Sequence, residues 1–180
     1  MIYSIGHGNR SWSEFLFILS SKECRFLVDV RSFPKSKFNS SFNDSELKKL
    51  CQASGIKYVF MGNLLGGRPK DRSLYDHLGR ADYPSFEASK SYQEGIDRLV
   101  NASRIKENTF IMCSEKNPAE CHRSKLIGKT LKEKGVEVLH IDEEGFEITQ
   151  LQAIDRITKG QADLFGDDPK ATMSRGKYVK

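Results

Sequence analysis

Short apolar runs alternate with amphipathic helical segments along this chain, and this alternation constrains the fold more than any other feature. The apolar runs predict strands at residues 2–5, 26–31, 57–60, 109–113 and 136–141. Helical patterns at residues 11–21, 43–53, 86–103 and 122–134 separate these strands. Strand–helix–strand units join parallel strands. The sequence therefore predicts an α/β fold with three layers, in which a mostly parallel sheet is flanked by helices in a Rossmann-like arrangement.

The change in character near residue 159 predicts the domain organisation. A chain of 180 residues can bury a core of its own without disulfides, and we expect a single α/β domain over residues 1–158. Glycines and a proline punctuate the remainder, and no apolar period continues past Phe165. We therefore expect residues 159–180 to form a mobile tail.

Composition narrows the classes of partner and compartment. The formal net charge of +5 and the isoelectric point near 9.0 favour polyanionic partners such as DNA or nucleotides. Because no apolar run reaches membrane-spanning length, we expect no membrane partner. Four cysteines are too few for a secreted disulfide framework, so the sequence predicts a cytoplasmic protein.

Polar clusters follow three of the predicted strands. Residues 6–10 (Gly-His-Gly-Asn-Arg), 29–31 (Asp-Val-Arg) and 113–115 (Cys-Ser-Glu) each lie at a carboxyl end. A fourth cluster, residues 121–123 (Cys-His-Arg), opens the next helix, and Arg68 lies in a loop long enough to cover them. Ligands bind at this edge of open α/β sheets. We therefore expect a functional site there.

Residue types suggest roles within that site. Guanidinium groups bind phosphate with a planar fork, which makes four arginines candidate anion ligands: Arg10, Arg31, Arg68 and Arg123. Carboxylates and imidazoles supply acid–base chemistry, and the candidates are Glu115, Asp29, His7 and His122. Two alternatives stay open: Asp29 and Arg31 form a buried ion pair or cap a helix, and His7 is a turn histidine.

Cys113 and Cys121 are candidate reactive thiols because a helix N-terminus beside arginine lowers a thiol pKa. A phosphatase-type loop, however, requires arginine six positions after the cysteine, where Ala119 stands. Zinc binding through the two thiols, His122 and His7 is an alternative, but the spacing does not match a standard ligand pair. We expect neither a metal nor another cofactor.

Taken together, these clusters resemble the family described as domain of unknown function 488. The resemblance covers roughly residues 1–141 and is carried by short segments at residues 4–8, 27–38, 65–68 and 112–123. Gly8 departs from the family, whose members commonly carry serine there. The resemblance implies a compact α/β fold and no particular activity. It marks seven matched polar positions: His7, Asp29, Arg31, Glu115, Cys121, His122 and Arg123.

Residues 161–165 (Gln-Ala-Asp-Leu-Phe) closely resemble the pentapeptide by which bacterial polymerases and repair proteins bind the DNA sliding clamp. In such peptides a Leu-Phe pair, here Leu164 and Phe165, fills an apolar pocket, while the glutamine, here Gln161, hydrogen-bonds a second one. The alternative is that Leu164 and Phe165 anchor the tail to its own domain. The first interpretation makes a bacterial sliding clamp a candidate partner.

These features predict an enzyme that processes DNA or a nucleotide, with a link to DNA repair or replication. In this hypothesis arginines hold phosphate and a carboxylate or histidine carries out hydrolytic acid–base chemistry. Two alternatives belong to other classes: a non-catalytic module that binds a nucleotide or nucleic acid, and a thiol or sulfur-transfer protein.

Overall fold

The computed structural model describes residues 1–36, 38–158, 174 and 176–178. Within them one sheet contains six strands in the order β3-β2-β4-β1-β5-β6. Neighbouring strands are parallel except for β6, which pairs with β5 in the antiparallel sense. The strand bounds are β1 Ile2–Gly6, β2 Cys24–Asp29, β3 Lys57–Phe60, β4 Asn108–Cys113, β5 Val138–Ile141 and β6 Glu147–Thr149.

Helices connect the strands and cover both faces of the sheet. The α-helices are α1 Trp12–Ser21, α2 Asp44–Ala53, α3 Gly62–Leu65, α4 Tyr83–Ala88, α5 Lys90–Ser103, α6 Lys129–Glu133 and α7 Gln150–Thr158. A wider, π-type turn, Arg123–Gly128, precedes α6, and short 3-10 turns lie at Ser40–Phe42, Arg72–Leu74 and Pro118–Glu120. The predicted α/β class with a mostly parallel sheet is confirmed.

Two apolar cores flank the sheet. Residues of α1 and α2 pack in one core, and residues of α4, α5 and the π-type turn pack in the other. The chain leaves β2 toward one side of the sheet, to β3, and leaves β4 toward the other, to β5. Because adjacent β2 and β4 diverge, a crevice opens between their carboxyl ends, as expected at a topological switch point.

The N-terminus of α1 forms as its sequence predicts. Ser11 Oγ accepts a hydrogen bond from the Glu14 N–H at 3.2 Å, and Glu14 Oε2 accepts one from the Ser11 N–H at 2.7 Å. This reciprocal pair is a capping box, which satisfies two donors that the helix leaves unpaired. Phe15 and Leu19 then face the core. Local sequence is sufficient here because every partner lies within one helical turn.

Element boundaries differ from the predicted ones where a side chain caps the backbone. The helix predicted over residues 86–103 is two helices, α4 and α5, which meet at Ser89. Ser89 has extended backbone angles, and its Oγ accepts from the Tyr92 N–H, so it starts a new helix. Neither β6 nor α7 was predicted. For β6 the reason is that Ile148 is its one buried residue, which leaves no apolar run.

Residues 176–178, which belong to the described C-terminal part of the chain, lie against the domain. The Tyr178 N–H donates to the Gly79 carbonyl oxygen at 2.7 Å, and the Arg68 guanidinium lies 4.4 Å from the centre of the Tyr178 ring. The predicted clamp-binding peptide, residues 161–165, lies outside the described residues.

Candidate functional site

Three loops meet above the carboxyl ends of β2, β4 and β1, which are consecutive in the sheet. The His7 N–H donates to the Cys113 carbonyl at 3.0 Å, and the Val30 N–H donates to the Met112 carbonyl at 3.0 Å. These bonds extend the sheet past the strand ends. A Cβ on Gly6 would lie 1.7 Å from the Glu115 carbonyl oxygen, so glycine is required for this close approach. The loop that carries Glu115 is thereby held against β1.

Two thiols, one carboxylate and one imidazole form a compact group, which we call the thiol cluster: Cys113, Glu115, Cys121 and His122. Glu115 Oε2 accepts from Cys113 Sγ at 2.9 Å and from Cys121 Sγ at 3.2 Å. His122 Nδ1 lies 3.7 Å from Cys113 Sγ and 3.8 Å from Cys121 Sγ. The four donor atoms lie within 4.8 Å of one another, which makes this the candidate cation site in the described part of the chain.

The thiol cluster changes the ionisation of its members. Burial opposes the Cys121 thiolate, but hydrogen bonding from Cys113 and the nearby His122 lower the pKa of Cys121 to about 6. The hydrogen bond to Cys121 and burial raise the pKa of Cys113 well above its usual value. Desolvation opposes ionisation of Glu115, yet the His122 charge and both thiol hydrogen bonds lower its pKa. The two thiols therefore share one negative charge easily and a second with difficulty.

Backbone contacts fix the orientation of His122. Its Nε2 lies 3.2 Å from the Val30 carbonyl oxygen, which can only accept a hydrogen bond. In the neutral ring the proton is then on Nε2, and the Nδ1 lone pair faces the sulfur atoms. Gly67 packs on the ring, since a Cβ at that position would lie 2.8 Å from His122 Cγ. Glycine at this position therefore leaves room for the imidazole.

Asp29 and Arg31 form the buried ion pair that the sequence left open as an alternative. Arg31 Nη2 lies 2.7 Å from Asp29 Oδ2, and Arg31 Nε lies 2.9 Å from Oδ1. Tyr58 donates a further hydrogen bond to Oδ2 at 2.9 Å. Since these donors already occupy the Asp29 carboxylate, it is poorly placed to take a proton from a substrate.

His7 belongs to the same buried arrangement. Its Nδ1 lies 3.0 Å from the Gly8 carbonyl oxygen, its Nε2 lies 3.4 Å from Arg31 Nη1, and its ring stacks on Phe42. Burial and the charge of Arg31 lower the pKa of His7 to about 4. The imidazole is therefore neutral near pH 7, with both ring nitrogens already engaged.

Arg123 directs both of its Nη groups at protein atoms, whereas its buried Nε has no hydrogen-bond partner among the described residues. It is fully buried, and its Nη2 donates to the carbonyl oxygens of Glu115 and Lys116 at 3.2 and 2.9 Å. Its Nη1 donates to Ser4 Oγ at 3.1 Å, and Ser4 lies 2.5 Å from His140 Nδ1. This guanidinium holds the loop that presents Glu115.

The hydrogen bonds continue beyond His140. His140 Nε2 lies 2.7 Å from Gln150 Oε1, and the Gln150 amide donates to the Ser124 carbonyl at 3.0 Å. We call this chain of four side chains the arginine network: Arg123, Ser4, His140 and Gln150. Like Arg123, Arg10 donates to the protein backbone: it binds the carbonyl oxygens of Gly6 and Asp142, both at 2.6 Å.

The thiol cluster opens on a cavity of about 590 Å³, a volume typical of small-molecule sites. Three cluster members line it, together with the cations Arg31, Lys35 and Arg68 and the aromatic residues Phe33, Tyr83 and Tyr178. The sequence did not suggest Lys35, Glu120 or Tyr178, because contacts across distant loops leave no local pattern. Arg10, Arg123, His7 and Asp29 are not among the lining residues.

Fold and site together define an α/β protein with a thiol- and carboxylate-lined cavity at the switch point of a parallel sheet. Residues 11–130 match the family described as domain of unknown function DUF488, so the chain belongs to that family. The matched segment contains the whole thiol cluster and the Asp29–Arg31 pair. Comparisons with curated proteins and with solved structures give no match. Among the described residues, no helix is both long and apolar enough to cross a membrane.

Proposed function

We propose that the protein is a hydrolase for a small phosphorylated substrate of the nucleotide class. The observation that carries this proposal is the placement of the Glu115 carboxylate in the same cavity as the guanidiniums of Arg31 and Arg68 and the ammonium of Lys35. Cations are suited to holding phosphate, and a carboxylate near them can take a proton from an attacking water. The cavity volume suits a nucleotide better than a DNA duplex.

The cationic side of the cavity supports binding of an anion. Asp29 neutralises much of the Arg31 charge, so Lys35 and Arg68 supply most of the attraction. Both of these residues are exposed, and neither forms a salt bridge with the carboxylates of the described chain. Phe33, which is 64% exposed, offers a flat apolar face beside them for a nucleobase.

Glu115 is the proposed acid–base residue. The Arg123 guanidinium fixes the loop through the Glu115 carbonyl, and the two thiols orient the carboxylate through Oε2. Asp29 and His7 are less suitable, because their polar atoms are already engaged with Arg31. In hydrolysis Glu115 would accept a proton from water and return it to the leaving group.

The test is a turnover assay of the full chain and of Glu115→Gln against nucleoside phosphates, sugar phosphates and short oligonucleotides. We expect turnover of at least one phosphorylated small molecule, reduced at least about 100-fold in Glu115→Gln. Glu120→Gln is the matched control, because Glu120 lines the same cavity but is not part of the thiol cluster.

An equal loss of turnover in Glu115→Gln and Glu120→Gln would show that Glu115 is not the specific acid–base residue. Binding of a nucleotide with no turnover by the wild-type protein would reject the hydrolase proposal and favour the non-catalytic binding module.

A further inference from the structure

The donor atoms of the thiol cluster are arranged as a metal ion requires. The imidazole nitrogen lies 3.7 and 3.8 Å from the two sulfur atoms. A tetrahedral zinc ion with ordinary bond lengths would place its sulfur and nitrogen ligands about 3.6 Å apart. The fold therefore already holds the imidazole nitrogen near the separation that zinc would impose from each sulfur, and all four donor atoms lie within 4.8 Å of one another.

The surroundings of these ligands also fit a metal site. The Val30 carbonyl fixes the His122 tautomer, so that Nδ1 presents its lone pair to the sulfurs. The Arg123 backbone N–H lies 3.5 Å from Cys121 Sγ and can donate to a thiolate there. Two sulfurs and an imidazole select zinc over magnesium or calcium, which prefer oxygen ligands.

We propose that Cys113, Cys121 and His122 bind one zinc ion, leaving its fourth position open to a water molecule that faces the cavity. Cys113 and His122 line the cavity, while Cys121 is buried with only 1% of its surface exposed. The ion then lies at the floor of the cavity. Three protein ligands with one open position is the pattern of catalytic rather than structural zinc.

Glu115 completes this arrangement without serving as a ligand. It is the exposed member of the thiol cluster, and its Oε2 lies within hydrogen-bond distance of both sulfurs. A carboxylate in that position can accept a proton from zinc-bound water. Two cysteines, one histidine and an adjacent glutamate are also the working groups of the zinc deaminases, which add water to a nucleobase ring.

The hydrolytic step at this site consumes one water molecule. The water oxygen forms a bond to the electrophilic atom of the substrate, and its proton passes to Glu115. The bond to the leaving group then breaks, and Glu115 returns the proton to that group. This role of Glu115 rests on the proposed function, whereas zinc binding by the other three residues stands on their geometry alone.

The experiment measures metal binding by the full chain under reducing conditions. We expect one zinc per chain by elemental analysis. Cobalt added to the zinc-free protein should give thiolate-to-metal charge-transfer bands and the intense visible bands of a tetrahedral site. A zinc-free protein whose thiols are reduced and which takes up neither zinc nor cobalt would overturn the inference, and this result requires no variant.

Matched variants locate the ion. Cys121→Ser should weaken zinc binding by more than about 100-fold, since even the loss of a supporting hydrogen bond commonly costs 10- to 100-fold. Cys51→Ser is the control, because Cys51 is a fully buried thiol in the apolar core that contains α1 and α2. Equal zinc affinity in the two variants would overturn the assignment.

Glu115→Gln separates the metal site from the proposed function. We expect this variant to keep its zinc and lose turnover. Loss of zinc would show that Glu115 occupies the fourth position and would overturn the open site. Retained zinc with unchanged turnover would support the metal site and reject the hydrolytic role of Glu115.

Discussion

The arginine network and the thiol cluster are two polar systems built on one sheet, and they are organised in opposite ways. In the arginine network, donors and acceptors run in sequence from Arg123 through Ser4 and His140 to Gln150 and the backbone. In the thiol cluster, four groups with affinity for protons or metals converge on one point and open on a cavity.

This difference shows that the density of buried polar groups does not by itself identify a chemical site. Both systems contain a histidine and both lie against β1 or β4, yet only one directs its lone pairs at a common position. Burial alone also does not show which of the cysteines belong to a chemical site. Cys24 and Cys51 are buried like the cluster thiols, yet desolvation raises the pKa of each to about 12.

The largest expected effect tests whether the arginine network is structural. Arg123→Met leaves Ser4 and the carbonyls of Glu115 and Lys116 without their donor in a buried site. We expect the free energy of unfolding to fall by about 3 kcal/mol or more, measured by urea denaturation with a metal chelator present. In the same assay Cys121→Ser should change the free energy of unfolding by less than about 1 kcal/mol, because serine is close to cysteine in size and keeps a polar group beside Glu115.

Equal destabilisation by Arg123→Met and Cys121→Ser would show that the arginine network is no more important for stability than the thiol cluster. A well-folded Arg123→Met protein would show that other contacts hold the Glu115 loop.

The second effect is a pH dependence of stability that arises from His140. Burial and the charge of Arg123 lower the pKa of His140 to about 3 in the folded protein, against about 6.5 when unfolded. The unfolded chain therefore takes up the proton first. The free energy of unfolding falls as the pH drops below about 6.5, and the contribution is exhausted near pH 3.

His140→Gln isolates this contribution, because an amide keeps one donor and one acceptor but does not titrate. Between pH 6.5 and 4.5 the wild-type protein should lose about 2 kcal/mol more than the variant. Urea denaturation at stepped pH measures the difference. His7 and all carboxylates are common to both proteins, so parallel curves would contradict the role given to His140.

The smallest expected effect concerns the wall of the cavity on which the thiol cluster opens. Arg68→Ala removes an exposed cation from the cavity wall, and we expect KM for a phosphorylated substrate to rise about 2- to 5-fold with kcat unchanged. The increase should shrink as ionic strength rises. Arg72→Ala is the control, because Arg72 is exposed on the neighbouring turn but does not line this cavity. The same increase in both variants would indicate a general effect of net charge.

Much of the fold could be predicted because its signals are local. The capping box of α1 involves Ser11 and Glu14 within one turn, and the apolar run of β4 reflects burial on both faces of the sheet. The prediction failed where local signals were weak. β6 has three residues with one buried side chain, and the division at Ser89 depends on a single hydroxyl.

The candidate site was predictable in location but not in its internal contacts. Strand ends identify an edge, since parallel strands share one. The sequence raised a site shared by Cys113 and Cys121 only as an alternative, because their separation of eight positions fits no standard ligand pair. The turn at Pro118–Glu120 and the start of the π-type helix bring the two sulfurs together beside His122.

The sequence by itself determined the α/β class, the family and the edge of the sheet where polar side chains collect. These properties follow from periodicity, capping and the geometry shared by all parallel strands. Only the tertiary structure decided which polar groups are already engaged and which face a cavity. Arginines that look equivalent in sequence differ because Arg123 meets carbonyl oxygens from a folded loop, whereas Arg68 stands at the cavity wall. The role of each arginine therefore depends on hydrogen-bond partners that are distant in the chain, and only folding brings those partners close to it.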